Sequence, residues 1–226
     1  MSTLYLFDIE GTTTDISFVH KVLFPYSLAH LESFVLNHQA HPVVVKSIYS
    51  VSDTVWSEEK KKPDLYGVIA KLGEWIRKDR KHGALKDIQG LIWDEGYAKK
   101  AFQGHVYPDV KPFFEKLRAA GKRIGIYSSG SVHAQKLIFG NSLAGDLTPF
   151  ISCYFDTKVG GKREKGSYEK IAAEVGLPAS EIHFFSDIPE ELQSARDAGM
   201  EVTQVLRPGT KPAAFRAISS FQEVSL

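Results

Sequence analysis

At 226 residues the chain is long enough to bury a sizeable core, and of a length suited to one α/β domain carrying an insertion. Its formal net charge of +1, with acids and bases interspersed, excludes a global basic field for nucleic acid and an acidic solvating tail. The single cysteine, Cys153, excludes an internal disulfide and a cysteine-based zinc cluster, and is expected as a buried small hydrophobe.

The first predicted element is a strand over 4–8, the apolar run Leu4-Tyr5-Leu6-Phe7 ending in Asp8-Ile9-Glu10-Gly11-Thr12-Thr13-Thr14-Asp15. No basic n-region or apolar h-region precedes it, and no apolar stretch approaches the roughly 20 residues a membrane span needs. The expectation is a cytoplasmic protein with no membrane partner. Side chains alternate along a strand, so Asp8 and Glu10 are expected to share one face while Ile9 enters the core. Two acids delivered into a Gly/Thr turn suit a nucleophile and a metal, although an ordinary strand running into a polar loop reads the same way.

From 16 to about 105 the pattern is mainly helical. Segments 26–36 and 43–56 are compatible with helices, and Glu58 to Pro63 reads as a helix end and loop. Leu65, Val68, Ile69, Leu72, Trp75 and Ile76 recur with helical spacing and predict an amphipathic helix. Beyond Val110, helices and strands alternate. A helix over 112–120 stops at Gly121 and a buried strand over 123–127 follows. Ser128-Ser129-Gly130-Ser131 then leads into a helix over 132–139 closed by Gly140. A strand over 151–155, a helix over 167–175 ending at Gly176, and a strand over 182–185 come next. Pro189 opens a helix through Ala198, Gly199 stops it, and 202–206 is the last predicted strand. The fold class is therefore α/β, a doubly wound parallel sheet with right-handed crossovers. Residues 1–15 and 106–226 form its core. Residues 16–105 form a helical insertion that leaves from the strand carrying Asp8, where a lid would be useful.

In such a sheet, ligands bind beyond the carboxyl ends of the strands. Four strand ends carry chemistry. The first supplies Asp8 and Glu10. The second supplies Ser128, Ser129 and Gly130 ahead of a helix, a seat for a phosphate oxygen or a plain serine N-cap. The third is Asp156-Thr157-Lys158-Val159-Gly160-Gly161-Lys162, where a lysine on a glycine-hinged loop can neutralise phosphoryl charge or simply sit in solvent. The fourth is Phe184-Phe185-Ser186-Asp187, whose acid is either functional or a helix cap ahead of Pro189. Four such signals at successive strand ends describe a magnesium phosphotransfer site: carboxylates for a hard cation, oxygen donors for phosphate, and one cation.

These residues resemble the haloacid dehalogenase superfamily, whose first motif is D-x-D-x-[TV], standing here as Asp8-Ile9-Glu10-Gly11-Thr12. Glutamate in place of the second aspartate narrows the resemblance. Together with Leu23-Phe24-Pro25-Tyr26, Tyr127-Ser128-Ser129-Gly130-Ser131, Gln135-Lys136-Leu137, Phe155-Asp156-Thr157-Lys158 and Arg207-Pro208-Gly209, it is similar to the enolase-phosphatase family of methionine salvage, over nearly the whole chain.

The resemblance implies a Rossmann-like core with a cap and a Mg2+-dependent enzyme. Its partner is a small phosphorylated diketone, 2,3-diketo-5-methylthiopentyl-1-phosphate, which it enolises and then dephosphorylates. It further implies Asp8 as nucleophile, Mg2+ on Asp8, Glu10 and Asp187, substrate oxygens on Ser128 and Ser129, and Lys162 balancing phosphoryl charge, with Lys158 the weaker occupant of that role. Glu10 is the first candidate for the enolisation base and a cap residue the second; His20, His105 and His133 rank below them. Phe18, Phe24, Tyr26 and Trp93 are expected in packing ahead of a pocket for the methylthio tail. A monomer is the expected state. The competing readings are another phosphatase of the superfamily, acting on a sugar or nucleotide phosphate, and a non-catalytic binding module on the same fold.

Overall fold

The structure, a computed structural model, describes residues 3–226. Strand β1 (Leu4–Phe7) is followed by the short helix α1 (Ile16–Phe18), a π-helical turn (Val19–Leu23) and helix α2 (Phe24–Asn37). Helices α3 (Pro42–Glu59), α4 (Leu65–Arg77) and α5 (Gly83–Ala98) come next. The chain then runs through α6 (Val110–Ala119), β2 (Arg123–Tyr127), α7 (Val132–Gly140), β3 (Cys153–Phe155), α8 (Lys165–Val175), β4 (Ile182–Ser186), α9 (Pro189–Asp197), β5 (Glu201–Val205) and β6 (Ala217–Ile218). It divides into two compact units, Met1–Ile16 with Gln103–Leu226, and Ser17–Phe102. Residues 103–105, read from the sequence as part of the insertion, belong to the first unit because local bonds hold them there. Thr14 Oγ1 donates to His105 O at 2.8 Å, and Gly104 N–H donates to Asn141 O at 2.8 Å.

The first unit is built on one parallel sheet in the order β3-β2-β1-β4-β5-β6. Central strand β1 is buried along its whole length, as a strand covered on both faces must be. Leu4 and Leu6 pack with Tyr168, Ile171, Phe184 and Leu192 on one face. On the other, Phe7 stacks on Phe185 at 5.1 Å and meets Phe113, Phe114 and Phe221. Phe7 pairs in register with Ile126 on one side and Phe185 on the other. The strand order reverses about β1, so the residues just past β1, β2 and β4 meet at a topological switch point, where α/β sheets hold their ligands. Edge strand β3 is only three residues long. Cys153 lies on it and is half-buried, not fully buried as expected, because an edge strand has a neighbour on one side only.

The second unit packs α2 to α5 around Leu31, Val35, Val44, Val51, Leu72, Trp75, Ile88 and Ile92. Asp64 caps α4 by accepting the Gly67 N–H at 2.7 Å. The π turn has a local cause in Pro25, which has no N–H to donate and whose ring crowds the carbonyl one turn back. The ladder slips by a residue there, and the Phe24 N–H reaches Val19 O. Trp93 Nε1 then donates to Leu23 O at 2.8 Å, so Trp93 is engaged in packing and bonding within this unit. Helix α5, which the sequence reading leaves unassigned, carries Gly83, Gly90 and Gly96. Gly96 is there for space, since a Cβ would lie 2.7 Å from the Phe102 ring and 2.8 Å from that of Tyr26.

Candidate active site

Strand β1 stops at Phe7, so strand alternation does not govern Asp8 and Glu10. Asp8 N–H still donates to Phe185 O at 2.9 Å. The chain then coils so tightly that the N–H groups of Thr12, Thr13 and Thr14 all point at Ile9 O, at 2.9 to 3.1 Å. Gly11 adopts φ +79°, and a Cβ there would lie 2.4 Å from Asp187 Oδ2, so only glycine lets the β1 and β4 ends approach this closely. The direction of each acid is set by this turn.

Asp8 is 2 % exposed, and Lys162 Nζ donates to its Oδ1. Lys162 Nζ also pairs with Glu191 Oε2 at 2.6 Å, and Ser186 Oγ donates to that same oxygen at 2.9 Å. The loop that delivers the lysine is pinned by three hydroxyls. Tyr127 donates to Gly160 O, Ser167 to Gly161 O and Tyr168 to Lys162 O, at 2.7 to 2.9 Å. Lys162 is thus the lysine brought to Asp8, whereas Lys158 is exposed and contributes its backbone N–H to Asp156. Asp156 holds the N–H groups of Lys158 and Val132, a structural task between β3 and α7.

Asp187 is not a helix cap: Ile188 occupies that position, without a side-chain bond. Its N–H donates to Thr12 Oγ1 at 3.0 Å, and its Oδ1 lies 3.4 Å from that hydroxyl, which is itself 3.5 Å from Asp8 Oδ2. One threonine hydroxyl therefore stands between the two carboxylates. Burial pushes the Asp187 carboxyl up to about 6. Burial also raises that of Asp8, against the pull of Lys162. Burial alone would lower Lys162, but Asp8 and Glu191 reverse this and hold the ammonium above its ordinary range.

Glu10 goes elsewhere. Ser128 Oγ donates to Glu10 Oε2 at 3.1 Å. Of the three residues expected at a metal, Asp8, Glu10 and Asp187, the Glu10 carboxylate is the one engaged with Ser128. Among the described residues no group of three or more His, Cys, Asp or Glu side chains is placed to share an ion. Ser129 stands half-buried in the same turn, and the cap of α7 is Ser131, which accepts the Ala134 N–H at 3.3 Å. His105 accepts the Asp15 N–H on Nδ1 at 3.0 Å, which fixes its neutral tautomer with the proton on Nε2.

Glu191 and Thr12 are the members of this cluster that sequence reasoning did not assign. Glu191 lies one helical turn beyond Asp187, and that i, i+4 spacing into α9 was the signal available.

The donor set fits a hard divalent cation. Asp8, Asp187 and Glu191 are three carboxylates against one ammonium, a net negative buried cluster that such a cation would balance. Two carboxylates suffice for Mg2+, which keeps several waters and takes phosphate oxygens as ligands.

The model of haloacid dehalogenase-like hydrolases matches residues 3–199. The chain is 46% identical to a Marinobacter nauticus protein named enolase-phosphatase E1, over 99% of this chain and 97% of that one. It is 45% identical to a Pseudomonas aeruginosa protein of the same name, over 97% and 96%. The crystal structure of the UTR4 protein of Saccharomyces cerevisiae matches with a TM-score of 0.81 at 33% identity, covering 99% of this chain and 100% of that one.

Proposed function

The chain belongs to the haloacid dehalogenase-like hydrolase family, and within it we propose that it is a bifunctional enolase-phosphatase, an acireductone synthase of methionine salvage. It enolises 2,3-diketo-5-methylthiopentyl-1-phosphate and then removes the phosphate to give 1,2-dihydroxy-3-keto-5-methylthiopentene. The observation that carries this reading is identity of 45 to 46% along nearly the whole chain, insertion included, to proteins named enolase-phosphatase E1.

In this mechanism a carboxylate oxygen of Asp8 attacks phosphorus in line, displacing the substrate oxygen and forming an aspartyl phosphate that water hydrolyses. Lys162 holds the Asp8 carboxylate in a single orientation and offsets charge on the phosphoryl oxygens. Glu191 fixes Lys162 from its other side. Ser129 takes a substrate oxygen at the end of β2. Glu10, with its longer reach, moves the carbon-bound proton. Mg2+, when bound, supplies charge neutralisation for the approach of two anions, and Asp8 and Asp187 would hold it, with Glu10 contributing its main-chain oxygen. The inserted unit, which leaves the core just after the Asp8 to Asp15 turn, is the helical cap of this reading. A monomer in the cytoplasm completes the proposal.

The test is incubation with the diketone phosphate and Mg2+, following acireductone by ultraviolet absorbance and phosphate in parallel. Both appear together if the reading is right. Phosphate released from simple esters, with the diketone phosphate untouched, sinks it.

A further inference from the structure

We propose that Gln204 is a positioning residue for Asp187, holding the main chain of that acid from its carbonyl side and thereby setting the affinity of the site for Mg2+. The inference rests on the reading of Asp8 and Asp187 as the residues that would hold the cation. Gln204 lies on β5, in register with Ser186 at the carboxyl end of β4, and is 0% exposed. A glutamine amide buried in an otherwise apolar sheet has to find its partners within the protein, because unpaired it costs stability. Here both of its ends are engaged. Nε2 donates to Asp187 O at 3.2 Å and to Lys211 O at 3.0 Å, and Oε1 accepts the Ala213 N–H at 2.8 Å. Two carbonyls at one end and an N–H at the other admit a single orientation of the amide. Lys211 and Ala213 belong to the irregular segment between β5 and β6, so one side chain ties that segment to Asp187.

Strand β4 ends at Ser186, so the sheet ladder does not itself orient Asp187. A peptide unit is planar, and the conformation of a residue is set by the two planes that flank its Cα. The plane before Asp187 is held through its N–H, which donates to Thr12 Oγ1 at 3.0 Å. The plane after it is held at both edges: the carbonyl takes the Gln204 amide, and the Ile188 N–H donates to Ser186 Oγ at 3.1 Å. The Ser186 bond closes a turn two residues long and moves with that turn. The Gln204 bond comes from the neighbouring strand, and it fastens the plane to the sheet. With both planes held, the Asp187 carboxylate is aimed over Gly11, where a Cβ would stand 2.4 Å from Oδ2. Mg2+ demands near-ideal octahedral geometry, so its affinity is sensitive to the direction of each carboxylate that holds it. Partners that orient a metal ligand typically carry 10- to 100-fold in affinity.

The experiment is a calorimetric titration of the full chain with MgCl2, without substrate, for wild type, Gln204→Met, Gln204→Ala, Thr203→Val and Asp187→Ala, with a urea midpoint for each. Methionine keeps the volume of Gln204 and removes its donors. Alanine leaves room for water to bond Asp187 O, Lys211 O and the Ala213 N–H, which keeps the fold where methionine would strand them. Thr203→Val is the control: it removes the Thr203 Oγ1 to His183 Nε2 bond of the same strand pair and touches nothing at Asp187. The Mg2+ dissociation constant should rise about 10- to 100-fold in each Gln204 variant that keeps the wild-type far-ultraviolet circular dichroism, and by less than about threefold in Thr203→Val. A structural role alone would lower the urea midpoint and leave the affinity of the folded protein where it was. A rise below about threefold in the Gln204 variants, with Asp187→Ala weakened as expected, therefore overturns this inference and leaves the metal reading standing. A loss in Thr203→Val equal to that in Gln204→Met overturns it as well, since any loosening of the strand pair would then suffice. An unchanged titration in Asp187→Ala overturns the metal reading, and this inference with it.

Discussion

Arg207→Met tests how the turn after β1 is held. The guanidinium donates to both oxygens of Asp109 at 2.9 Å and through Nε to Thr12 O at 3.0 Å, with Arg207 and Asp109 each 8% exposed. It also lies over the Tyr107 ring at 4.1 Å. Methionine keeps most of the apolar volume and removes every donor. Asp109 is then left as a buried carboxylate holding the Phe221 N–H alone, and the Thr12 carbonyl loses its charged donor. Breaking a buried pair from one side costs about 3 to 5 kcal/mol, and at this length each kcal/mol is about 2 to 4 °C of Tm. The core transition should therefore fall by roughly 10 °C. Two units make a single melting curve ambiguous, but the molecule separates the signals. Trp56, Trp75 and Trp93 all lie in Ser17–Phe102, so tryptophan fluorescence reports that unit, while scanning calorimetry shows both. The drop belongs to the transition that tryptophan does not follow. Asp109→Asn added to Arg207→Met should return about 2 kcal/mol by removing the stranded charge. A loss below about 1 kcal/mol in Arg207→Met, or no recovery in the double variant, refutes the reasoning.

Asp8→Asn should lower phosphate release by about four orders of magnitude or more with the far-ultraviolet circular dichroism intact, and normal turnover would exclude a covalent aspartyl intermediate. Asp187→Ala should weaken Mg2+ binding by about 100-fold or more in a calorimetric titration, since even outer partners of a metal ligand cost 10- to 100-fold; an unchanged titration removes Asp187 from the metal site. Burial lowers the His183 imidazole to about 4, where its Nε2 meets Thr203 Oγ1 at 2.8 Å and its ring stacks on Phe185 at 4.1 Å. The unfolded chain takes up that proton near pH 6.5, so the contribution is complete above 6.5 and is lost as pH falls toward 4. The loss amounts to about 2 kcal/mol by pH 5, and His183→Gln should flatten that part of the urea-midpoint profile; an identical slope in the variant removes His183 as its source.

The strand ends were legible because a parallel sheet buried on both faces must be written as apolar runs, and because Gly121, Gly140, Gly176, Gly199 and Pro189 punctuate the helices between them. Elements below the reach of periodicity were not. Strand β6 is two residues long, Ala217–Ile218, in a polar stretch. The strand predicted over 151–155 begins only at Cys153, because Thr148–Phe150 form a 3-10 turn around Pro149. Side-chain direction failed at the residue that mattered most. Alternation sent Glu10 toward Asp8, yet the chain had already left the strand, and the direction came from a turn closed on Ile9 O and a serine far away in sequence. Glu191 escaped for a related reason: its role depends on Lys162, which a loop between other elements brings to it.

The site acts as a unit because five residues after β1 carry nearly all of its geometry. Thr12 alone makes three of the connections. Its N–H closes on Ile9 O, its carbonyl takes the Arg207 Nε–H, and its hydroxyl receives the Asp187 N–H between two carboxylates. Asp8 and Glu10, two positions apart, are held by different neighbours, Asp8 by Lys162, which Glu191 also holds, and Glu10 by Ser128. A turn braced this way sets the direction of each carboxylate separately, through the neighbours it reaches and not through strand alternation.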